Sequence, residues 1–203
     1  MKKKFCMSVI LMGLLHLSNA QNDPLQTAFA KSYEKESKKE FSGAIELLKS
    51  VYDQKSYEIN LRLGWLNYEA GLWTESASYY EKAIALMPYS IEAKLGLIYP
   101  SAALSNWDVV VGQYRKVLQI DPQNTTANYR LGFIEYNKKN FAASAKYFEK
   151  VVNLYPFGYD GLLMLAWTNY RLGKTREAKI LFGKVLLLSP KDASAMEGLG
   201  LIK

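Results

Sequence analysis

Four large rings recur at one position of a repeating pattern. Trp65, Tyr99, Phe133 and Trp167 are evenly spaced along the chain, and Leu201 follows at the same interval. Four residues ahead of each ring stands Leu61, Leu95, Tyr129 or Leu163, and three residues after it stands Tyr68, Ala102, Tyr136 or Tyr170. Offsets of four and three bring side chains to one face of a helix. Such a face offers contact rather than reaction chemistry: flat rings supply large apolar area with few torsions to freeze, which suits an apolar or aromatic-rich peptide. Stacking of a glycan or peptidoglycan sugar on Trp65 and Trp167 is the alternative. It needs nearby carboxylates and amides for the hydroxyls, and Glu69 and Asn137 are its thin support.

Side chains suited to covalent or acid–base work are scarce. The one cysteine, Cys6, and the one histidine, His16, both lie in the first twenty residues. There Lys2, Lys3 and Lys4 precede an apolar run from Phe5 to Leu17, and Ser18-Asn19-Ala20 offers small residues ahead of Gln21. That is the pattern of a secretory signal peptide, with a run too short to span a bilayer. Residues 1–20 are therefore expected to be cleaved after Ala20, leaving a chain exported to the periplasm or the extracellular space. Cys6 precedes the apolar run, which does not fit a lipoprotein signal. The mature chain would then hold neither thiol nor imidazole, which excludes histidine bases, thiol nucleophiles and Cys/His zinc sites. No Gly-rich phosphate loop or metal spacing appears either. The expectation is no enzyme, no cofactor, no metal, and no integral membrane segment once the signal is gone.

Charge points away from nucleic acid. Losing Lys2, Lys3 and Lys4 takes the formal net charge from +7 to +4. The remaining lysines are interleaved with acids, as in Glu34-Lys35-Glu36, which describes a solvated helix face rather than a phosphate-binding patch.

What must position the rings is a repeated pair of helices. Pro88, Pro122, Pro156 and Pro190 close successive units of the same length as the ring interval. In phase with them run Tyr80, Tyr114, Phe148 and Phe182, then Ala83, Val117, Val151 and Val185. Leu63, Leu97, Leu131, Leu165 and Leu199 recur too, followed by Gly64, Ile98, Gly132, Ala166 and Gly200. Between prolines lie two stretches of helical periodicity with no strand-like alternation. Gly71 and Gly173 mark the turn between paired helices, and Thr74, Asn140 and Asp192 stand where an N-cap is wanted.

This pattern resembles the tetratricopeptide repeat, a helix–turn–helix of about 34 residues with Leu-Gly, a later small residue, an aromatic and a closing proline. The likeness is clearest from Leu63-Gly64 through Gly71, Ser76, Tyr80 and Ala83 to Pro88. It implies an all-α, right-handed superhelical solenoid of antiparallel hairpins over residues 21–203, because a single hairpin cannot bury its own apolar face. An irregular unit over 21–56 leads, with Phe41, Ala44 and Leu48 on its second helix. Repeats 57–90, 91–124, 125–158 and 159–192 follow, and a terminal helix over 193–203 ends the array. Trp73, Trp107 and Phe141 keep the regular interval, but Phe41 stands closer to Trp73 than that interval allows, so two residues are missing at the first junction.

The resemblance implies that the ring-bearing face of the first helices lines a concave groove for an extended peptide. The candidate site is thus Leu61, Trp65, Tyr68, Tyr99, Tyr129, Phe133, Tyr136, Leu163, Trp167 and Tyr170, with the four rings at 65, 99, 133 and 167 as a continuous exposed stripe. Family members that capture acidic chaperone tails use a lysine and an asparagine on this face. Leucines and rings stand there instead, so that clamp is not expected. The competing reading is that Asn67, Ser101, Glu135 and Asn169, polar where the family has a core tyrosine, rotate the first helix and pack the rings between neighbouring helices. Pro100 either bends its helix harmlessly or opens a pocket at Tyr99 beside Ala102 and Ala103. Tyr155-Pro156-Phe157-Gly158-Tyr159 either flanks a site or turns into the core. The last helix leaves Met196, Leu199, Leu201 and Ile202 to cap Leu181 and Val185, or to join two chains as a weak homodimer. The function expected is a non-catalytic scaffold of the cell envelope for a protein or peptide partner.

Overall fold

The computed structural model describes residues 23–202; the proposed signal segment and its cleavage site lie outside them. The described residues form eleven helices: α1 Pro24–Ser37, α2 Phe41–Lys49, α3 Tyr57–Glu69, α4 Trp73–Leu86, α5 Ile91–Ala103, α6 Trp107–Ile120, α7 Thr125–Asn137, α8 Phe141–Leu154, α9 Tyr159–Arg171, α10 Thr175–Leu188 and α11 Ala193–Leu201. They pair as five antiparallel hairpins plus one closing helix, an all-α solenoid. α2 has nine residues where each later second helix has fourteen, so the two-residue deficit falls at the end of the first hairpin.

Each hairpin turns through one residue of left-handed backbone. Gly71 and Gly173 have φ of 76° and 74°, and Lys39, Ser105 and Lys139 take the equivalent place at 60°, 58° and 60°. At all five the amide beyond that residue bonds a carbonyl of the preceding helix's last turn, as Leu72 N does to Asn67 O at 2.8 Å. That satisfies carbonyls the helix end would otherwise leave bare.

Capping is concentrated on the first helices. Ser56, Ser90, Asn124 and Asp192 each accept the amide three residues on. The expected cap at Thr74 is not one, since α4 starts at Trp73 with Leu72 as its N-cap residue. Asn140 does precede α8, but its side-chain amide donates to Glu135 instead. A second device holds the linkers. Asn60, Lys94 and Asn128 each reach back to a carbonyl six residues earlier, on Gln54, Pro88 and Pro122. Lys94 is buried, and burial first, then the charge of Lys116, pushes its ammonium below the ordinary lysine range. Leu162 stands at the next such place and Gly158 offers no cap, so the 155–158 linker has neither tie.

Between hairpins lies the core. Tyr80, Tyr114, Phe148 and Phe182 are all buried, as are Leu63, Leu97, Leu131 and Leu165. Inside hairpins, Ser76 and Ser144 donate to the carbonyls of Gly64 and Gly132 at 2.7 and 2.9 Å, so these buried hydroxyls are satisfied. Leu199 and Ile202 pack on the core that holds Leu181, Phe182 and Val185, while Met196 and Leu201 stay exposed.

The first helices also touch one another: α3 meets α5, α7 meets α9, and α9 meets α11. Among the described residues no pair of consecutive second helices is in comparable contact. A stack that closes along one layer and splays along the other curves toward the closed layer, so the first helices form its inner face.

Candidate binding grooves on the inner face

The first three hairpins enclose an open groove of about 870 Å³. Phe29 and Tyr33 of α1, Leu61 and Trp65 of α3, and Leu95 and Tyr99 of α5 line it. Trp65, Tyr68 and Tyr99 form one ring cluster: centroids lie 6.5 Å apart for Trp65–Tyr99, 5.5 Å for Tyr68–Tyr99 and 6.0 Å for Trp65–Tyr68. Edge-to-face and tilted arrangements at such distances are those favoured by ring quadrupoles. Tyr80 of α4 also lines it and is buried, and burial pushes its hydroxyl far above the ordinary tyrosine range. Gly96 permits this, because a Cβ there would collide with the Tyr80 ring.

One carboxylate from α1 fixes the groove wall. Glu36 accepts from Trp65 Nε1 at 2.5 Å with one oxygen and from Arg62 Nη2 at 2.6 Å with the other. The Arg62 guanidinium lies 3.8 Å over the centroid of Tyr33 and is itself buried. Partial burial alone would raise the Glu36 carboxyl; the hydrogen bonds from Arg62 and Trp65, with the Arg62 charge, outweigh it and hold the group below the ordinary range. At the rim, the Tyr57 and Ser90 hydroxyls share a hydrogen bond of 2.7 Å, and Tyr57 reaches Glu92 at 3.4 Å.

A second groove, about 350 Å³, lies toward the other end. Phe133, Tyr136, Trp167, Tyr170 and Leu201 line it. Trp167 packs edge-on against Tyr170 and Phe182, with centroids 5.8 and 5.1 Å away, and donates from Nε1 to Ser194 Oγ at 2.8 Å.

The ten residues singled out from the sequence therefore divide. Leu61, Trp65, Tyr68 and Tyr99 gather at the first groove; Phe133, Tyr136, Trp167 and Tyr170 gather at the second. Tyr129 leaves the stripe: its ring packs on Phe148, and it lines a shallow cleft with Tyr155 and Tyr159. Leu163 packs at the margin of the C-terminal core. Tyr99 and Phe133 are 52% and 41% exposed, whereas Trp65 and Trp167 are half-buried, so the rings are neither all open nor all core. The expected continuous stripe is corrected to two clusters. Where Tyr68 meets Tyr99, the next hairpin presents Ala102, which has no ring to meet Phe133, and α5 packs less closely on α7 than α3 does on α5.

Other expectations resolve on the same face. Asn67 and Ser101 are buried and donate to the carbonyls of Leu63 and Leu97, both at 2.7 Å, so polarity at these places is absorbed by the helix itself without turning it outward. Pro100 is buried within an α5 that runs unbroken through it. The groove at Tyr99 opens toward α3 and α1, and neither Ala102 nor Ala103 lines it. Tyr155, Phe157 and Tyr159 are exposed rather than folded into the core. Glu36, Tyr33 and Arg62 were not found by sequence reasoning, because the irregular first unit gives no register against which Glu36 could be set facing Trp65. Among the described residues no three His, Cys, Asp or Glu side chains gather as a metal site, and no helix is long and apolar enough to cross a membrane.

A stack of helical hairpins with ring-lined grooves along its inner face defines the class of helical-repeat proteins. Sequence models of the tetratricopeptide repeat match residues 29–91, 125–157 and 160–192, together well over half of the chain, and the chain belongs to that family. The stretch between these matches carries Pro100, and Ile98 where neighbouring hairpins have Gly64 and Gly132. The human Protein SGT1 homolog is 34% identical over 67 residues, 33% of this chain, which spans only 18% of that protein's length. A tetratricopeptide repeat protein from Parabacteroides merdae superposes with a TM-score of 0.73 at 19% identity, over 87% of this chain and 71% of that one. MamA superposes with a TM-score of 0.69 at 21% identity, over 84% and 94% of the two chains. At such identities the likeness is one of fold.

Proposed function

We propose that this chain is a non-catalytic scaffold that holds an apolar or aromatic-rich peptide segment of a partner protein on its inner face, and that it works outside the cytoplasm once residues 1–20 are removed. The observation that carries the reading is the 870 Å³ groove between α1, α3 and α5, walled by leucines and rings and open to solvent. The rings at 80, 114, 148 and 182 close the core; Tyr99 instead leaves half of its surface in water beside that groove. An exposed ring set among half-buried neighbours offers anchor area to a partner without being required for folding.

The test is partner capture by Tyr99→Ala and Phe133→Ala variants. Both should keep the wild-type helical signal and melting midpoint while capture from an envelope fraction falls severalfold. Undiminished capture by the double variant would remove the grooves from the binding surface. Captured glycan in place of protein would favour the sugar-stacking alternative.

A further inference from the structure

The first groove carries a charge pattern that ring contact does not require. Glu58 and Glu92 both line it, each at the second position of a first helix, on α3 and α5. Glu58 accepts a hydrogen bond from Ser56 at 3.0 Å and Glu92 one from Tyr57, but neither carboxylate is in an ion pair among the described residues. Arg62, the only cation among the described residues of the wall, is spent on Glu36 and lies over the Tyr33 ring. The groove thus presents two carboxylates without an ion-pair partner among the described residues, each in the first turn of its helix, in a lining that includes the rings of Tyr57, Trp65 and Tyr99. The second groove differs, because Arg171 and Glu197 line it together and cancel.

We propose that the first groove takes a segment bearing a lysine or arginine next to an apolar residue, the cation between Glu58 and Glu92 and the apolar side chain against Leu61, Leu95 and Trp65. This rests on the peptide-binding reading above and adds the charge of the occupant. A cation at this rim gains attraction from two carboxylates and from ring faces within reach. Its aliphatic stem lies along the leucines while the charge stays near water. An acidic segment meets like charge in the same place and is disfavoured.

Three fluorescent peptides with a shared Leu-Phe core, flanked by lysines, glutamines or glutamates, test this by anisotropy against the whole chain and a Glu58→Gln/Glu92→Gln variant. The lysine-flanked peptide should bind about tenfold tighter than the glutamate-flanked one. In the variant that spread should collapse, with the glutamine-flanked affinity unchanged, and added salt should shrink it in the wild type. Equal binding of all three to the wild type, or a lysine preference that survives in the variant, overturns the charge assignment and leaves the peptide groove standing. Binding of none of them overturns both.

Discussion

The Tyr159 hydroxyl donates to Asp192 Oδ2 at 2.6 Å, tying the first residue of α9 to the N-cap of α11 one repeat later. Tyr57 and Ser90 make the same tie between α3 and α5. First helices are thus fastened to each other at their N-terminal ends, the cap residue of the later helix also receiving a tyrosine from the earlier one.

A pH dependence follows for α11. The Asp192 carboxyl is held below the ordinary aspartate range, first by the Tyr159 hydrogen bond and then by the Ala195 amide. A depressed carboxyl contributes stability that is full above the unfolded value and lost as pH falls through the folded one. Hydrogen exchange should therefore show α11 well protected at neutral pH and progressively frayed as pH falls below the ordinary aspartate range, about 4. Tyr159→Phe should lower protection at neutral pH and narrow the difference between the two conditions. Protection of α11 that is independent of pH would show that the tie does not hold the helix.

Glu36 should matter to the shape of the groove more than to the array. Glu36→Gln removes the charge facing buried Arg62 and weakens the bond to Trp65 Nε1, and should destabilise the chain by about 1–3 kcal/mol. The indole fluorescence of Trp65 should change with it. Glu40→Gln, which breaks only an exposed pair with Lys35, should leave both the melting midpoint and the fluorescence nearly unaltered.

Much of the fold was legible because repetition reports the same packing problem several times. A proline, a ring and a Leu-Gly pair recurring at one fixed interval identify hairpins before any contact is known, and the rings at 80, 114, 148 and 182 are core because each closes one junction. The groove was legible only within a repeat. Helical offsets put Trp65 with Leu61 and Tyr68, but the pairing of Trp65 with Tyr99 or with Glu36 depends on how closely neighbouring hairpins stack. Gly96 helps to set that distance by admitting the Tyr80 ring, an effect that appears only against a partner ring. The caps illustrate a simpler limit: Thr74 has the right chemistry, yet α4 starts soon after the left-handed residue Gly71, two positions too early for it.

Left-handed turns carried by side-chain residues leave stability to be gained. Lys139 and Ser105 adopt φ near 60° where Gly71 and Gly173 do so without a Cβ. Lys139→Gly should stabilise by up to about 1 kcal/mol in denaturant titrations, and Gly71→Ala should cost about 1 kcal/mol. A loss in the first variant would place the cost of the turn elsewhere than in its backbone.

Gln113 is a second reserve. It is buried on α6, and no group among the described residues bonds its Oε1. The same repeat position in the last hairpin holds Leu181, also buried. Gln113→Leu should therefore raise stability by about 1–2 kcal/mol, seen as a higher denaturant midpoint with an unchanged slope.

The sharpest test separates core rings from groove rings along one array. Phe148 is fully buried between hairpins, so Phe148→Ala should leave a cavity and cost about 3–5 kcal/mol. Tyr99, half in water, should cost far less on truncation, chiefly its contacts with Trp65 and Tyr68. Trp167 stands between: half-buried, packed on Phe182 and bonded to Ser194, it should cost an intermediate amount and also loosen α11, which Ser194 belongs to. Trp167→Phe keeps the packing but removes the indole donor, so it should restore most of the stability lost in Trp167→Ala while leaving α11 less protected. Thermal melts give the order and hydrogen exchange gives the location of the loss. An order in which Tyr99→Ala costs as much as Phe148→Ala would make the first groove part of the core and end its reading as a binding surface.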